Sequence, residues 1–266
     1  MEILNSTIVI TGGSSGLGLE MCRQLIKKGN KIITCSRSLE KLQNAKKELP
    51  ELIIYKCDIS QQSECEGFAE WLRINHADLN VLVNNAAIAN KIDFVNDLSS
   101  LEKMTQEFLI NFHAPIHLIK LLYPLLIQNQ NSRIVNITTG LVYVPRVIYP
   151  FYNASKVALH FFTQVLRSQL KEEKIKIIEV LFPAVDTPWH EGNPPKIAIT
   201  AEKAISEMLE AISKNKTEIR IAKVKLLYLL YRIAPSFALK KINSLLNSEL
   251  FELVGTIYFT HKKAFF

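Results

Sequence analysis

The chain has 266 residues, 48% hydrophobic and 21% charged, an ordinary composition for one globular unit with a substantial core. No basic secretory leader opens it and no stretch of 18 apolar residues occurs, so neither a signal peptide nor a membrane span is expected. The net charge of +7 sits in the tail, where ten Lys or Arg face three Glu from Lys214 onward. The rest is neutral, which argues against a globally basic nucleic-acid binder.

Short β-branched runs alternate with longer amphipathic stretches. Strands are expected at 6–11, 31–35, 52–57, 81–84, 133–137, 175–182 and 217–221. Helices are expected at 18–28, 39–48, 61–75, 101–129, 151–173 and 201–214. The strands are almost continuously apolar, as strands buried on both faces must be. Repeated βα units of this kind give an α/β fold, a Rossmann-type doubly wound parallel sheet of about seven strands with helices on both faces. Ligands bind such sheets at the carboxyl ends of the strands, where the strand order reverses. Cys22, Cys35, Cys57 and Cys65 form no CxxC pair and read as reduced thiols of a cytoplasmic protein.

The first strand runs into Thr11-Gly12-Gly13-Ser14-Ser15-Gly16-Leu17-Gly18, and a helix follows. Glycines there let the backbone turn sharply and approach a pyrophosphate, while the helix N-terminus offers free N–H groups and positive dipole. After the second strand comes Ser36-Arg37-Ser38. An acidic residue at this strand end bonds the ribose 2′-hydroxyl of NAD, whereas an arginine accommodates the 2′-phosphate of NADP. Ser36 does not repel a phosphate and Arg37 can fork onto it, with Ser38 and Lys41 as assistants, so NADP(H) is favoured over NAD(H).

Tyr152 and Lys156, four residues apart, share one face of the 151–173 helix. A phenol of ordinary pKa about 10 holds its proton at neutral pH, and a fixed cation beside it favours the phenolate. The pair therefore reads as a proton-transfer centre, although the same spacing also arises from a surface lysine beside a packed tyrosine.

The Thr-Gly-x3-Gly-x-Gly turn joined to Tyr-x3-Lys resembles the short-chain dehydrogenase/reductase family, and the match runs from about residue 5 to about residue 222. The resemblance implies cofactor contacts from Gly12, Ser14, Ser15, Gly16, Leu17 and Gly18 in the turn. It implies further contacts from Asp58 and Ile59 after the third strand, the aspartate toward the adenine, and from Asn85 and Ala86 in Asn84-Asn85-Ala86-Ala87. Pro183, Val185 and Thr187 match the segment that holds the nicotinamide amide. Asn111 matches the helix asparagine that completes a water relay to the lysine. Thr139, thirteen residues before Tyr152, takes the place of the family serine. Lys156 would lower the tyrosine pKa and hold the nicotinamide ribose. Ala87 and Ala184 stand where the family has glycine. Thr139-Gly140-Leu141, Val144-Pro145 and Pro183-Ala184-Val185 resemble the bacterial DltE-type oxidoreductases in particular.

The resemblance implies an NADP(H)-dependent oxidoreductase moving hydride between nicotinamide and a carbonyl or alcohol substrate, with Tyr152 as general acid and base. Two other readings stand beside it: a non-catalytic NADP(H)-binding redox sensor, and a membrane-recruited accessory protein of cell-envelope metabolism. A homo-oligomer is compatible with all three.

Other residues read more plainly. His113 and His117 have metal-ligand spacing but no third ligand, so no metal is expected. His190 lies in the substrate loop; Tyr143, Tyr149 and Trp189 either line the pocket or pack. Asn136 reads as strand-end hydrogen bonding, and Phe161 and Phe162 as packing. Residues 1–222 are expected to form the cofactor-binding and catalytic domain, and 223–266 a basic, Leu-rich extension. Its apolar run from Leu226 to Tyr231 covers every side of a helix. Packing over the cleft or a second subunit is the favoured placement, and peripheral contact with a membrane interface the other.

Overall fold

The computed structural model describes residues 3–190 and 192–244; the final aromatic and basic segment of the tail lies outside them. The elements run β1 (Thr7–Thr11), α1 (Gly16–Lys27), β2 (Lys31–Ser36), α2 (Leu39–Glu48), β3 (Ile53–Lys56), α3 (Gln62–Asn75) and β4 (Leu79–Asn84). There follow α4 (Ser100–Phe108), α5 (Ala114–Leu126), β5 (Ser132–Thr139), α6 (Pro150–Gln169) and β6 (Ile175–Phe182). The chain continues through β7 (Val185–Asp186), β8 (Ile199–Thr200), α7 (Ala201–Ser213), β9 (Glu218–Arg220), α8 (Val224–Ile233) and α9 (Pro235–Ser244).

Seven strands form one parallel sheet in the order β3-β2-β1-β4-β5-β6-β9. The order reverses between β1 and β4, which opens a crevice beyond their carboxyl ends. All seven expected strands are present. The additional β7–β8 pair lies in the segment after β6, where two residues per strand leave no periodic signal.

Alternation along each strand feeds two cores. Ile8, Ile10, Ile32, Val81, Val83, Val135 and Val180 face the layer that includes Met21 and Leu25 of α1 and Ile205 and Met208 of α7. Val9, Ile33, Leu82, Ile134 and Ile177 face Phe68 and Leu72 of α3 and Leu118 and Leu122 of α5. Ile8, Val9 and Ile10 are fully buried, and each such side chain is worth roughly 1.5–3 kcal/mol relative to exposure. That is why the strands are apolar on both faces.

The helical run Ser100–Leu126 is long and apolar enough, by length and composition, to cross a membrane, which the sequence reading did not expect. Leu118, Ile119, Leu122, Leu125 and Leu126 instead fill the second core, so this is an interior helix. Its middle, Leu109–His113, widens into a π-turn. Such turns recur at functional sites, and this one carries Asn111. The four cysteines are buried and free, and burial pushes the Cys22 thiol up to about 12, which makes it inert.

Candidate active site

The 12–18 turn links β1 to α1 by backbone geometry. Gly12 and Gly16 take φ of +70° and +54°, the left-handed region that side chains avoid. A Cβ on Gly18 would stand 2.3 Å from the Gly12 carbonyl oxygen, and one on Gly13 would stand 2.4 Å from Thr34 Oγ1. Gly13 N–H donates to that hydroxyl (2.8 Å), which in turn donates to the Ile10 carbonyl (2.7 Å). Ser15 precedes α1 without capping it through its side chain, and no acid sits in the first turn. The first N–H groups of α1 therefore meet the crevice without a side-chain acceptor, as an anion site requires.

The β4 end is tied to the same turn. Thr11 Oγ1 accepts from Asn85 N–H and Ala86 N–H (3.0 Å each), and Asn85 Nδ2 donates to the Thr11 carbonyl (2.9 Å). On the other side the Thr187 side chain reaches within 3.4 Å of where a Gly16 Cβ would be, so the 183–187 segment borders the turn. Val185 is buried, Pro183 and Thr187 half-buried.

Farther along the carboxyl edge, Asp58 Oδ1 accepts from the Ser60 amide and hydroxyl, and Ile59 follows it. Arg37 is exposed just past β2 and makes no ion pair among the described residues, so its fork is open to an anion. Ser38 has another task as well, since its Oγ accepts from Lys41 N–H and caps α2. The exposed Arg37 and the uncapped α1 terminus, with glycines where a Cβ cannot fit, suit the phosphates of a dinucleotide.

The catalytic candidates gather at β5 and α6. Thr139, the last residue of β5, and Tyr152 interact through their hydroxyls. Lys156 is 2% exposed and its Nζ donates to the Ile137 carbonyl (2.9 Å). Asn111, wholly buried, accepts from Ile88 N–H (2.9 Å) and donates to the Ile88 carbonyl (2.8 Å) and Ser155 Oγ (3.1 Å). It clamps the segment after β4 against α6. Its side chain bonds protein groups on both sides.

Burial pushes the Tyr152 phenol above its ordinary value, with the Thr139 hydroxyl pulling the other way and Tyr149 and Glu107 adding to the rise. This corrects the expectation that Lys156 lowers the phenol: loss of hydration dominates. Burial also pulls the Lys156 ammonium down to about 8, while Glu179 opposes the fall. The result is a phenol that keeps its proton, one helical turn from a cation held in a poorly solvating interior.

The sequence reading missed Glu179, His160 and Glu107. Glu179 of β6 is fully buried and accepts from Thr138 Oγ1 (2.6 Å), with both its oxygens against His160 Nδ1 (2.8 and 2.9 Å). A lone acid inside an apolar eight-residue strand, and a histidine one turn beyond Lys156, were the available signals. Glu107 is buried, accepts from the Asn90 amide and side chain through Oε1, and is raised above its ordinary value chiefly by burial.

The remaining candidates sort themselves. The Trp189 and Tyr149 rings stand 5.8 and 6.2 Å from the Tyr152 ring and border the cleft. Tyr143 does not: its hydroxyl donates to Glu218 Oε1 and accepts from Arg220, and its ring packs on Tyr228. Asn136 accepts from Asn84 and donates to Thr163, which joins β4, β5 and α6 inside the fold. Phe162 packs edge-on against Phe112, whereas Phe161 is exposed. The rings of His113 and His117 lie 6.4 Å apart, and among the described residues no three metal-ligating side chains cluster.

The family model of the short chain dehydrogenases matches residues 6–197. The chain belongs to that family. Among short-chain dehydrogenases it is 37% identical over 230 residues to the uncharacterized oxidoreductase DltE of Bacillus subtilis (strain 168), covering 85% of this chain and 91% of the relative. It is 26% identical over 261 residues to the fatty acyl-CoA reductase of Acinetobacter baylyi, covering 95% and 86%. A short-chain dehydrogenase of Burkholderia cenocepacia J2315 in complex with NADP shares the fold at a TM-score of 0.79 and 21% identity, covering 91% of this chain and 99% of that one. One from Burkholderia phymatum in complex with NAD does so at 0.76 and 18%, covering 88% and 96%. This chain is thus an oxidoreductase-family protein with a nicotinamide-binding fold.

Proposed function

We propose that the protein is an NADP(H)-dependent oxidoreductase that interconverts a carbonyl compound and its alcohol, with residues 1–222 as the cofactor-binding and catalytic unit and 223–266 as an extension of it. The observation that carries the reading is the grouping of buried Thr139, half-buried Tyr152 and buried Lys156 at the carboxyl end of β5, beside an uncapped glycine turn. When bound, the nicotinamide supplies or accepts the hydride.

The chain's own residues do the rest. Gly12, Ser14, Ser15, Gly16, Leu17 and Gly18 receive the pyrophosphate, and Arg37 and Ser38 the 2′-phosphate. Asp58, Ile59, Asn85 and Ala86 border the adenine side, and Pro183, Val185 and Thr187 the nicotinamide side. In the reductive direction the Tyr152 hydroxyl donates its proton to the substrate oxygen. The Thr139 hydroxyl donates a second hydrogen bond to that oxygen and stabilises the charge developing on it. Lys156 holds positive charge beside the phenolate that remains. Asn111 ties the segment at Ile88 to Ser155, the residue before the lysine. The aromatic border of Tyr149 and Trp189 suits a substrate with an apolar body. A non-catalytic sensor would have no use for a buried ammonium, which costs stability wherever it lacks a full counter-charge.

Tyr152→Phe tests the reading. Turnover of a carbonyl panel with NADPH is expected to fall by about 10³-fold, the scale of lost general acid catalysis, while NADPH affinity by fluorescence titration changes less than about twofold. In the unaltered protein NADPH is expected to exceed NADH in kcat/KM by at least about tenfold. Unchanged turnover in the variant refutes the tyrosine's role, and parity of the two cofactors refutes that of Arg37.

A further inference from the structure

The α8–α9 pair has two faces of different character. Its inner face docks on the edge of the catalytic unit. Val224 and Leu227 lie 3.0 and 3.5 Å from where a Gly140 Cβ would be, directly after Thr139. Arg220 lies over the Tyr228 ring at 3.8 Å, and Asn243 accepts from Val147 N–H and donates to the Pro145 carbonyl. The outer face is apolar and open: Leu226, Ile233 and Phe237 are 65, 74 and 58% exposed, and Leu229 and Leu239 are exposed with them. The run Leu226-Leu227-Tyr228-Leu229-Leu230 thus buries only part of its circumference. Contiguous apolar surface of this kind marks an interaction site.

Charge identifies the partner. Residues 223–244 hold Lys223, Lys225, Arg232, Lys240 and Lys241 and no Asp or Glu. All five are exposed, and one of them, Lys225, is paired with Glu207. A second copy of the chain docking the same face by two-fold symmetry would set these cations against their own counterparts, which opposes it. Apolar side chains flanked by lysine and arginine instead match an interface in which acyl chains lie beneath anionic headgroups.

We infer that the outer face of α8 and α9 docks the protein on an anionic lipid bilayer. α8 rests on Gly140 and α9 on the 145–147 loop that leads into Tyr149, so the helix pair that docks adjoins the elements carrying Thr139 and Tyr149. The inference goes beyond the proposed reaction and does not depend on it.

Flotation of the full chain with vesicles tests it, comparing pure phosphatidylcholine with phosphatidylcholine containing about one-third phosphatidylglycerol. Binding is expected on the anionic vesicles, weakened at least tenfold by about 0.5 M salt. Lys240→Gln with Lys241→Gln is expected to weaken it by about 25-fold, roughly fivefold per lysine. Leu226→Ser, Ile233→Ser and Phe237→Ser together are expected to abolish it with an unchanged circular dichroism melt. Absence of binding by the full chain overturns the inference. Equal binding to both vesicle types, or binding retained by the triple serine variant, overturns it too. So does a dimer in sedimentation that the triple serine variant dissociates, since the face then belongs to a second copy.

Discussion

The 12–18 turn and the Tyr152–Lys156 segment stand at the carboxyl ends of the same sheet and are built on opposite terms. The turn is a backbone device whose internal polar contacts are met: Gly13 N–H on Thr34, and Asn85 and Ala86 N–H on Thr11. Nothing in it is charged. The Tyr152–Lys156 segment buries an ammonium with one carbonyl partner and holds a phenol whose pKa is raised by loss of hydration. One region is relaxed and shaped for its ligand, and the other holds electrostatic strain. Loss of a group from the first should therefore cost stability and affinity, whereas loss from the second should cost activity while relieving the fold.

Gly18→Ala puts the largest load on the first half of that contrast. The new Cβ would stand 2.3 Å from the Gly12 carbonyl oxygen, a backbone atom that can only move by shifting the turn. Overpacking of this kind costs about 1–3 kcal/mol. The variant is expected to melt several degrees lower and to bind NADPH at least about tenfold more weakly. Gly29→Ala is the contrast, with φ of +76° but open space around its Cβ. It should cost about 1 kcal/mol of backbone strain and leave NADPH affinity unchanged. Equal cofactor affinities for the two variants would break the claim that close approach at Gly18 shapes the site.

Lys156→Met probes the second half. The ammonium has an ordinary value of 10.5 and sits at about 8 in the fold. A cation lowered in this way is a penalty, fully present below pH 8. Between pH 8 and 10.5 the unfolded chain still holds a proton that the folded chain has released, so stability rises with pH, and above 10.5 the penalty is gone. The gap corresponds to roughly 3 kcal/mol. Methionine removes the charge and keeps the bulk, but leaves the Ile137 carbonyl without its donor, a loss of about 1 kcal/mol. The variant should lose turnover, yet melt at pH 7 no lower than the parent. The variant's advantage in stability should fall steadily from pH 8 to 10.5, and the parent should be the more stable of the two above that range. A lower melting point at pH 7 with no such trend would show the lysine to be stabilising.

Which parts of this were legible in the chain follows from where their signals lie. The strands were legible because burial on both faces demands unbroken apolar runs such as Ile8-Val9-Ile10. The glycine turn was legible because Gly12 and Gly18 answer to sterics that no other residue meets. The seven-stranded architecture and the family followed from those and from Tyr152 with Lys156. The lowering of Tyr152 was misjudged because spacing reports proximity and says nothing of hydration, which burial removed. The π-turn at Asn111 left no periodic trace, since one widened turn does not disturb an apolar face. The exposure of Leu226, Ile233 and Phe237 depended on which side α8 turns toward Gly140, a tertiary fact. Glu179 had a signal that went unused, an acid in the strand Ile175–Phe182 whose other buried residues are all apolar.

Glu179→Gln sharpens the contrast at finer scale, because Glu179 is the attractive charge that keeps the buried lysine from falling further. The groups around its carboxylate are Thr138 Oγ1, His160 Nδ1 and, beside it in register on β9, Glu218. Glutamine keeps an oxygen for Thr138 and His160 and loses only the charge. The Lys156 ammonium then drops below about 8, and the protonated form that supports the tyrosine disappears earlier as pH rises. The alkaline limb of kcat/KM is expected to move down by about one pH unit, the scale of a partly screened buried charge pair. NADPH affinity at pH 6, where the lysine stays charged in both proteins, should be unaltered. A residue of merely structural consequence would lower the melting point and leave that limb in place. An unmoved limb would therefore assign Glu179 to the support of His160 and Thr138, and leave the strain that burial puts on the lysine unrelieved by it.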